Sequence, residues 1–133
     1  MTLPLIACVG AGRMGRGIAI AFAYAGMSVA LIDLKPRSDE AWAQLCSEAQ
    51  AEIASSLHAL AALGAVPAEA VARIAARVQL VRNEQADTAL AAAHTVFEGV
   101  PETLDAKREA LTRVCRAAPP GAIIASTTST ILV

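Results

Sequence analysis

No run of like charge, no cysteine framework, no metal-ligand spacing and no bilayer-length apolar stretch occurs in this chain of 133 residues. Each absence removes a class of function. Lys and Arg number 11 against 12 Asp and Glu, for a net charge of -1, and they are scattered, so there is no basic surface for nucleic acid. The three cysteines, Cys8, Cys46 and Cys115, are odd in number and far apart, which reads as buried or idle thiols in a reducing cytoplasm. The longest apolar stretch, Ile18 to Ile32, is interrupted by Gly26 and Ser28 and falls short of the ~20 residues that cross a bilayer. The opening Met1-Thr-Leu-Pro4 has no basic leader. A soluble cytoplasmic protein is expected, one domain long, with a core that needs no metal and no membrane.

What is present begins at Ile6-Ala-Cys-Val-Gly10-Ala-Gly12-Arg-Met-Gly15. Leu5 to Val9 suits a buried parallel strand, and Met14, Ile18, Phe22 and Ala25 recur at helical spacing until Gly26 ends the helix. A strand that bends directly into a helix aims bare N–H groups and a positive dipole end outward, an arrangement suited to a pyrophosphate. Gly10 permits the turn, Gly12 lets the phosphates approach the backbone, and Gly15 lets helix and strand lie close. Ala11, Arg13 and Met14 complete the bend. A second buried strand, Val29 to Asp33, ends in an acid placed to accept hydrogen bonds from the adenosine ribose. Lys35 and Arg37 are near, but a carboxylate at position 33 repels a 2′-phosphate, so the cofactor expected is NAD. Taken alone, Asp33 also fits a helix cap.

Beyond the loop Leu34–Arg37, Ser38 or Asp39 caps a long helix whose apolar stripe is Trp42, Leu45, Ala49, Ile53, Leu57 and Leu60, stopped by Gly64. Pro67 opens a short helix carrying Val71 and Ile74. Val78 to Val81 is a third strand, Asn83 caps a helix through Ala93, and Thr95 to Gly99 is a fourth strand. Thr103 to Ala117 is helical until Pro119-Pro120-Gly121, and Ala122 to Ala125 is the fifth strand. This alternation predicts an α/β, Rossmann-type doubly wound parallel sheet of order 3-2-1-4-5, covered on both faces and truncated after the fifth strand. Residues 1–133 then form one dinucleotide-binding domain.

Ligands of such sheets bind past the carboxyl ends of the strands. Three polar clusters stand there: the glycine bend with Asp33; Glu98-Gly-Val-Pro101-Glu102 with Lys107; and Ser126-Thr-Thr-Ser129-Thr130. Individually, Glu102 and Lys107 also read as an acid and a solvated base on a helix, and the hydroxyl run as an ordinary loop. Their coincidence at strand ends favours a site.

Together the residues resemble the L-3-hydroxyacyl-CoA dehydrogenase family from Ile6 to Ile131. Its GxGxMGxGIA pattern is met by Gly10 to Ala19, its paired acids by Glu98 and Glu102, its lysine by Lys107, and its Ser-Asn-Thr-Ser-Ser by Ser126 to Thr130. The resemblance implies Glu102 and Lys107 as cofactor contacts and Ser129 as a catalytic residue touching both nicotinamide and substrate oxygen. It also implies an acyl-CoA thioester substrate and a homodimeric parent enzyme. Thr127 and Thr130 depart from the family pattern, and no Lys or Arg lies between Ser38 and Arg73, where CoA-binding members commonly carry lysines. The λ-crystallin, gulonate and carnitine dehydrogenase branch, which uses free hydroxy acids, therefore stays open beside the fatty-acid β-oxidation type. So does a stand-alone NAD-binding module without a reaction. The 3-hydroxyisobutyrate type shares only the glycine bend and ranks lower.

Alcohol oxidation also needs a base. The two histidines, His58 and His94, fall within and at the end of helices, and neither lies at the carboxyl end of a strand. In the family the base is a His one strand further on, with a helical C-terminal substrate and dimerisation domain. This chain stops at Val133, so it is expected to bind NAD without turning over alone.

Overall fold

A computed structural model describes residues 4–132; Met1 to Leu3 of the opening segment, and Val133, lie outside the described residues. Five parallel strands, β1 (Ile6–Val9), β2 (Val29–Ile32), β3 (Val78–Val81), β4 (Thr95–Glu98) and β5 (Ile123–Ser126), are ordered β3-β2-β1-β4-β5. The connecting helices are α1 (Arg13–Tyr24), α2 (Asp39–Ala62), α3 (Val71–Ala75), α4 (Ala86–Ala91) and α5 (Leu104–Ala117). The order reverses between β1 and β4, and a crevice opens at that point, past the carboxyl ends.

Alternation along β1 divides the core. Ile6 and Cys8 join Val29 and Leu31 under α1, α2 and α3, whereas Ala7 and Val9 join Ala30, Ile32 and Val96 under α4 and α5. Cys8 is wholly buried, and burial pushes its thiol up to about 12, so it packs as a small apolar residue and is not a nucleophile. Each strand is buried on both faces near the sheet centre, which is why their sequences are continuous apolar runs.

Several expectations are adjusted by tertiary packing. The face that α1 turns to the sheet is Gly15, Ala19 and Ala23, one position away from the large apolar residues; Met14 is 56% exposed and Ala25 is exposed. The small residues prevail because the helix must lie close to β1, while Ile18 and Phe22 pack from the flank. Asn83 does not cap a helix. A 3-10 turn over Asn83–Gln85 precedes α4, and the Asn83 side chain accepts from Arg113, which also holds Asp87 at 2.7 Å. Ser38, in contrast, is the cap of α2, its hydroxyl accepting from the Ala41 amide at 3.2 Å. Cover on both faces fails at β5, where Ile123 is 64% exposed, because none of the described helices follows that strand.

The glycine bend sets the geometry. A Cβ on Gly15 would overlap the Gly10 carbonyl oxygen, and one on Gly10, already at φ 101°, would stand 2.9 Å from the Gly99 oxygen. Gly12 has nothing within 4 Å and an ordinary extended backbone. Gly15→Ala is therefore expected to cost about 1–3 kcal/mol and Gly12→Ala less than about 1 kcal/mol, as read by urea unfolding. Equal costs would contradict this geometry.

Candidate functional site: the crevice at the strand ends

A cavity of about 800 Å³ lies past the carboxyl ends of β1, β2 and β4. The bend contributes Gly10, Ala11, Gly12, Arg13 and Met14 to its wall. Asp33 faces it from the end of β2, Glu102 from the loop before α5, and Thr127 from the loop after β5. Three of the expected site residues are not on that wall. Gly15 lies beneath the bend, Lys107 is interior, and Ser129 is exposed further along the hydroxyl loop.

α1 begins unlike its neighbours. Ser38 and Thr103 cap α2 and α5 with their side chains, and acids occupy the first turn of each, Asp39 and Glu40 in one and Asp105 in the other. At α1 the cap is Gly12, with no side-chain bond and no acid in the first turn. Its amides and positive end are thus left to a ligand. Arg16, to which the sequence reading assigns no role, braces the bend by donating from Nε to the Ala11 carbonyl at 2.9 Å while Nη1 holds Glu52 of α2 at 2.5 Å.

At the other wall Asp33 is 5% exposed and caps no helix, since Ser38 fills that place. Its carboxylate accepts from the Lys35 amide at 3.4 Å and from the guanidinium of Arg37. That hydrogen bond from Arg37 to Asp33 is the main reason the arginine's pKa is raised above its ordinary value.

Lys107 is 1% exposed, not a solvated helix base. Its amine donates to Glu98 Oε2 at 2.8 Å and to the Val100 carbonyl at 3.0 Å, and lies 3.5 Å from Glu102. Glu98, wholly buried, accepts in addition from the Val100 amide at 2.9 Å and from the Ser126 hydroxyl at 2.8 Å. Four lone-pair sites and three ammonium protons are enough to satisfy this group, and no buried side-chain polar atom is left without a partner among the described residues. The pair joins β4, α5 and β5. A carboxylate closing an apolar strand signals in the sequence that some buried cation must meet it.

Glu102 extends the same network outward, accepting from the hydroxyls of Thr128 and, at 3.1 Å, Thr130. The Thr128 bond chiefly, then Thr130 and the charge of Lys107, lower its pKa from 4.5 to about 2. A lowered folded value means the tie is complete above 4.5 and is lost as pH falls through about 2. Neither histidine belongs here: His58 is exposed on α2, and His94 is exposed at the opposite end of β4, where its amide donates to the Leu5 carbonyl at 3.0 Å.

Two measurements check these assignments. Lys107→Met should cost about 3–5 kcal/mol in urea unfolding, because it leaves the Glu98 charge buried and unpaired, and the double variant Glu98→Gln/Lys107→Met should recover part of that loss. Glu102→Gln should leave global stability nearly unchanged but speed amide exchange at Thr130. A carbon NMR titration of Glu102 with a midpoint near 4.5 instead of about 2 would contradict the loop tie.

Comparison with known proteins agrees with this geometry. The family described as "3-hydroxyacyl-CoA dehydrogenase, NAD binding domain" matches residues 5–133. The L-carnitine dehydrogenase of Streptomyces coelicolor is 34% identical over 93% of this chain and 35% of its own length. Among solved structures, (S)-3-hydroxybutyryl-CoA dehydrogenase from Ralstonia eutropha superposes with a TM-score of 0.78 at 32% identity, over 98% of this chain and 42% of that one. The 3-hydroxybutyryl-CoA dehydrogenase of Escherichia coli gives a TM-score of 0.79 at 28% identity, over 98% and 26%. The chain thus spans about a third or less of the length of the curated relatives it matches. With the glycine bend, the acid at the end of β2 and the family match all on the same residues, the chain belongs to the 3-hydroxyacyl-CoA dehydrogenase family as its NAD-binding domain.

Proposed function

We propose that these residues hold NAD for an enzyme that oxidises the hydroxyl of a 3-hydroxy acid, and that the substrate is a free hydroxy acid of the L-carnitine type. When bound, NAD would supply the hydride acceptor. The protein's part is to place it. Gly12, Arg13 and Met14 would meet the pyrophosphate at the uncapped start of α1, and Asp33 the adenosine ribose. Glu102 and the hydroxyl loop would meet the nicotinamide end, where Ser129 would reach the substrate oxygen. Lys107 would act by positioning that loop, since its amine is already enclosed. The observation that carries the reading is the uncapped, acid-free start of α1 facing a cavity with Asp33 on the opposite wall.

For the substrate, the support is electrostatic. α2 carries neither Lys nor Arg, and of its four acids Asp39 and Glu52 are paired with Arg82 and Arg16, which leaves Glu40 and Glu48 outside any ion pair among the described residues. Such a helix repels the phosphates of CoA and tolerates a quaternary ammonium. L-carnitine is itself a 3-hydroxy acid and shares with 3-hydroxybutyryl-CoA the group to be oxidised. The family resemblance implies a histidine base, and neither His58 nor His94 lies at the carboxyl end of a strand, so residues 1–133 alone would bind without turnover. Three unpaired cysteines fit a reducing cytoplasm. Assembly as a homodimer rests on the family resemblance.

Gly12→Ala should weaken NAD binding about tenfold or more by calorimetry, because its methyl enters the space the pyrophosphate needs, while the fold survives. Undiminished binding would count against the phosphate site. In the full-length polypeptide, kcat/KM for L-carnitine should exceed that for 3-hydroxybutyryl-CoA. The reverse ranking would return the protein to the acyl-CoA reading.

A further inference from the structure

We infer that Arg37 is a second specificity-determining residue of the cofactor site: an anchor for a 2′-phosphate that Asp33 keeps neutralised. The inference rests on the NAD site proposed above and concerns which dinucleotide it admits.

Both oxygens of Asp33 face the Arg37 guanidinium, which binds Oδ2 through Nε and lies 3.5 Å from Oδ1 through Nη2. Both residues line the cavity, and Lys35 stands on the same wall. The arginine's side chain is 28% exposed, against 7% for its partner, so it is open to a ligand in a way the acid is not.

The arginine does not owe its place to the acid alone. Its carbonyl accepts from Arg82 Nη2 at 3.1 Å, and Arg82 is held in turn by Asp39 at 3.0 Å and lies 5.8 Å from the Trp42 ring. The backbone at position 37 is thus fixed from β3 and α2, whatever occupies position 33. A planar guanidinium carried on a backbone so fixed can meet a phosphate in two parallel hydrogen bonds, better than a lysine does.

While Asp33 is present the pair has no net charge, and the carboxylate beside the guanidinium repels an incoming 2′-phosphate. Without that carboxylate the same wall presents two cations, Arg37 and Lys35. Removing the acid should therefore invert the preference and not simply abolish binding.

Calorimetric titrations of NAD, NADP and adenosine 2′,5′-bisphosphate into the native chain, Asp33→Ser, and Asp33→Ser/Arg37→Ala test this. In Asp33→Ser, NADP and the bisphosphate should bind about tenfold tighter than in the native chain and NAD more weakly; the added Arg37→Ala should cancel most of the gain. Asp33→Asn replaces Asp33→Ser if thermal unfolding shows the serine variant misfolded, with the same expectation. No gain on removing the acid, or a gain that survives loss of Arg37, overturns the inference. Failure of the native chain to bind NAD would overturn the underlying cofactor reading as well, whereas native NAD binding without the switch defeats this inference alone.

Discussion

A helix can offer its first amides to a ligand only if its start is free of side chains and if the strand before it delivers the chain at the right angle. Here that requirement is met by the contact of Gly15 with the Gly10 carbonyl, which is closer than any Cβ would allow. Gly10 in turn lies against Gly99, so the bend after β1 and the turn after β4 define one another across the crevice. The Gly99 amide bonds to Val9 at 2.8 Å and the Gly10 amide to Ile32 at 2.8 Å, extending the sheet ladder one residue past its strands into the site. The part of the cavity wall at the bend is consequently glycine backbone.

Charge is arranged on that frame as two self-contained groups. At the end of β2, Asp33 is matched by Arg37; at the end of β4, Glu98 and Glu102 share Lys107. Each group is hydrogen-bonded within itself without help from a ligand, and each fixes a loop: Leu34–Arg37 in the first case, Gly99–Glu102 and the hydroxyl run in the second. A buried pair such as Glu98 and Lys107 adds little net stability, because desolvation offsets attraction, but it ties β4, α5 and β5 together beyond the β4–β5 ladder and the apolar packing of α5. Residues proposed to touch a dinucleotide, such as Gly12 and Asp33, are thus distinct from residues that hold the surrounding loops in place, such as Arg16, Lys107 and Arg82.

The strand order and the bend were legible because they follow from local signals: continuous apolar runs, glycines with no alternative explanation, and Ser38 followed by acids. Other features depend on contacts between residues distant in the chain. Asn83 reads as a cap until Arg113, thirty positions later, takes its oxygen. Lys107 reads as a solvated base because only the fold brings Glu98 and Val100 around it. The face of α1 was displaced by one position because large apolar residues mark a helix face in the sequence, whereas close packing on β1 selects small ones. For Ser129 the family resemblance is the argument, since the structure leaves it exposed beside a wall that Thr127 reaches.

The central claim is that a dinucleotide lies across the start of α1 with its adenosine toward Asp33. Backbone amide NMR during an NAD titration tests it most directly. The account predicts that the largest shifts fall at Gly12 to Arg16 and at Asp33 to Arg37, with the groove near His94 and Pro119 unmoved. Shifts centred on that groove, or none at the glycine bend at saturating NAD, would contradict it.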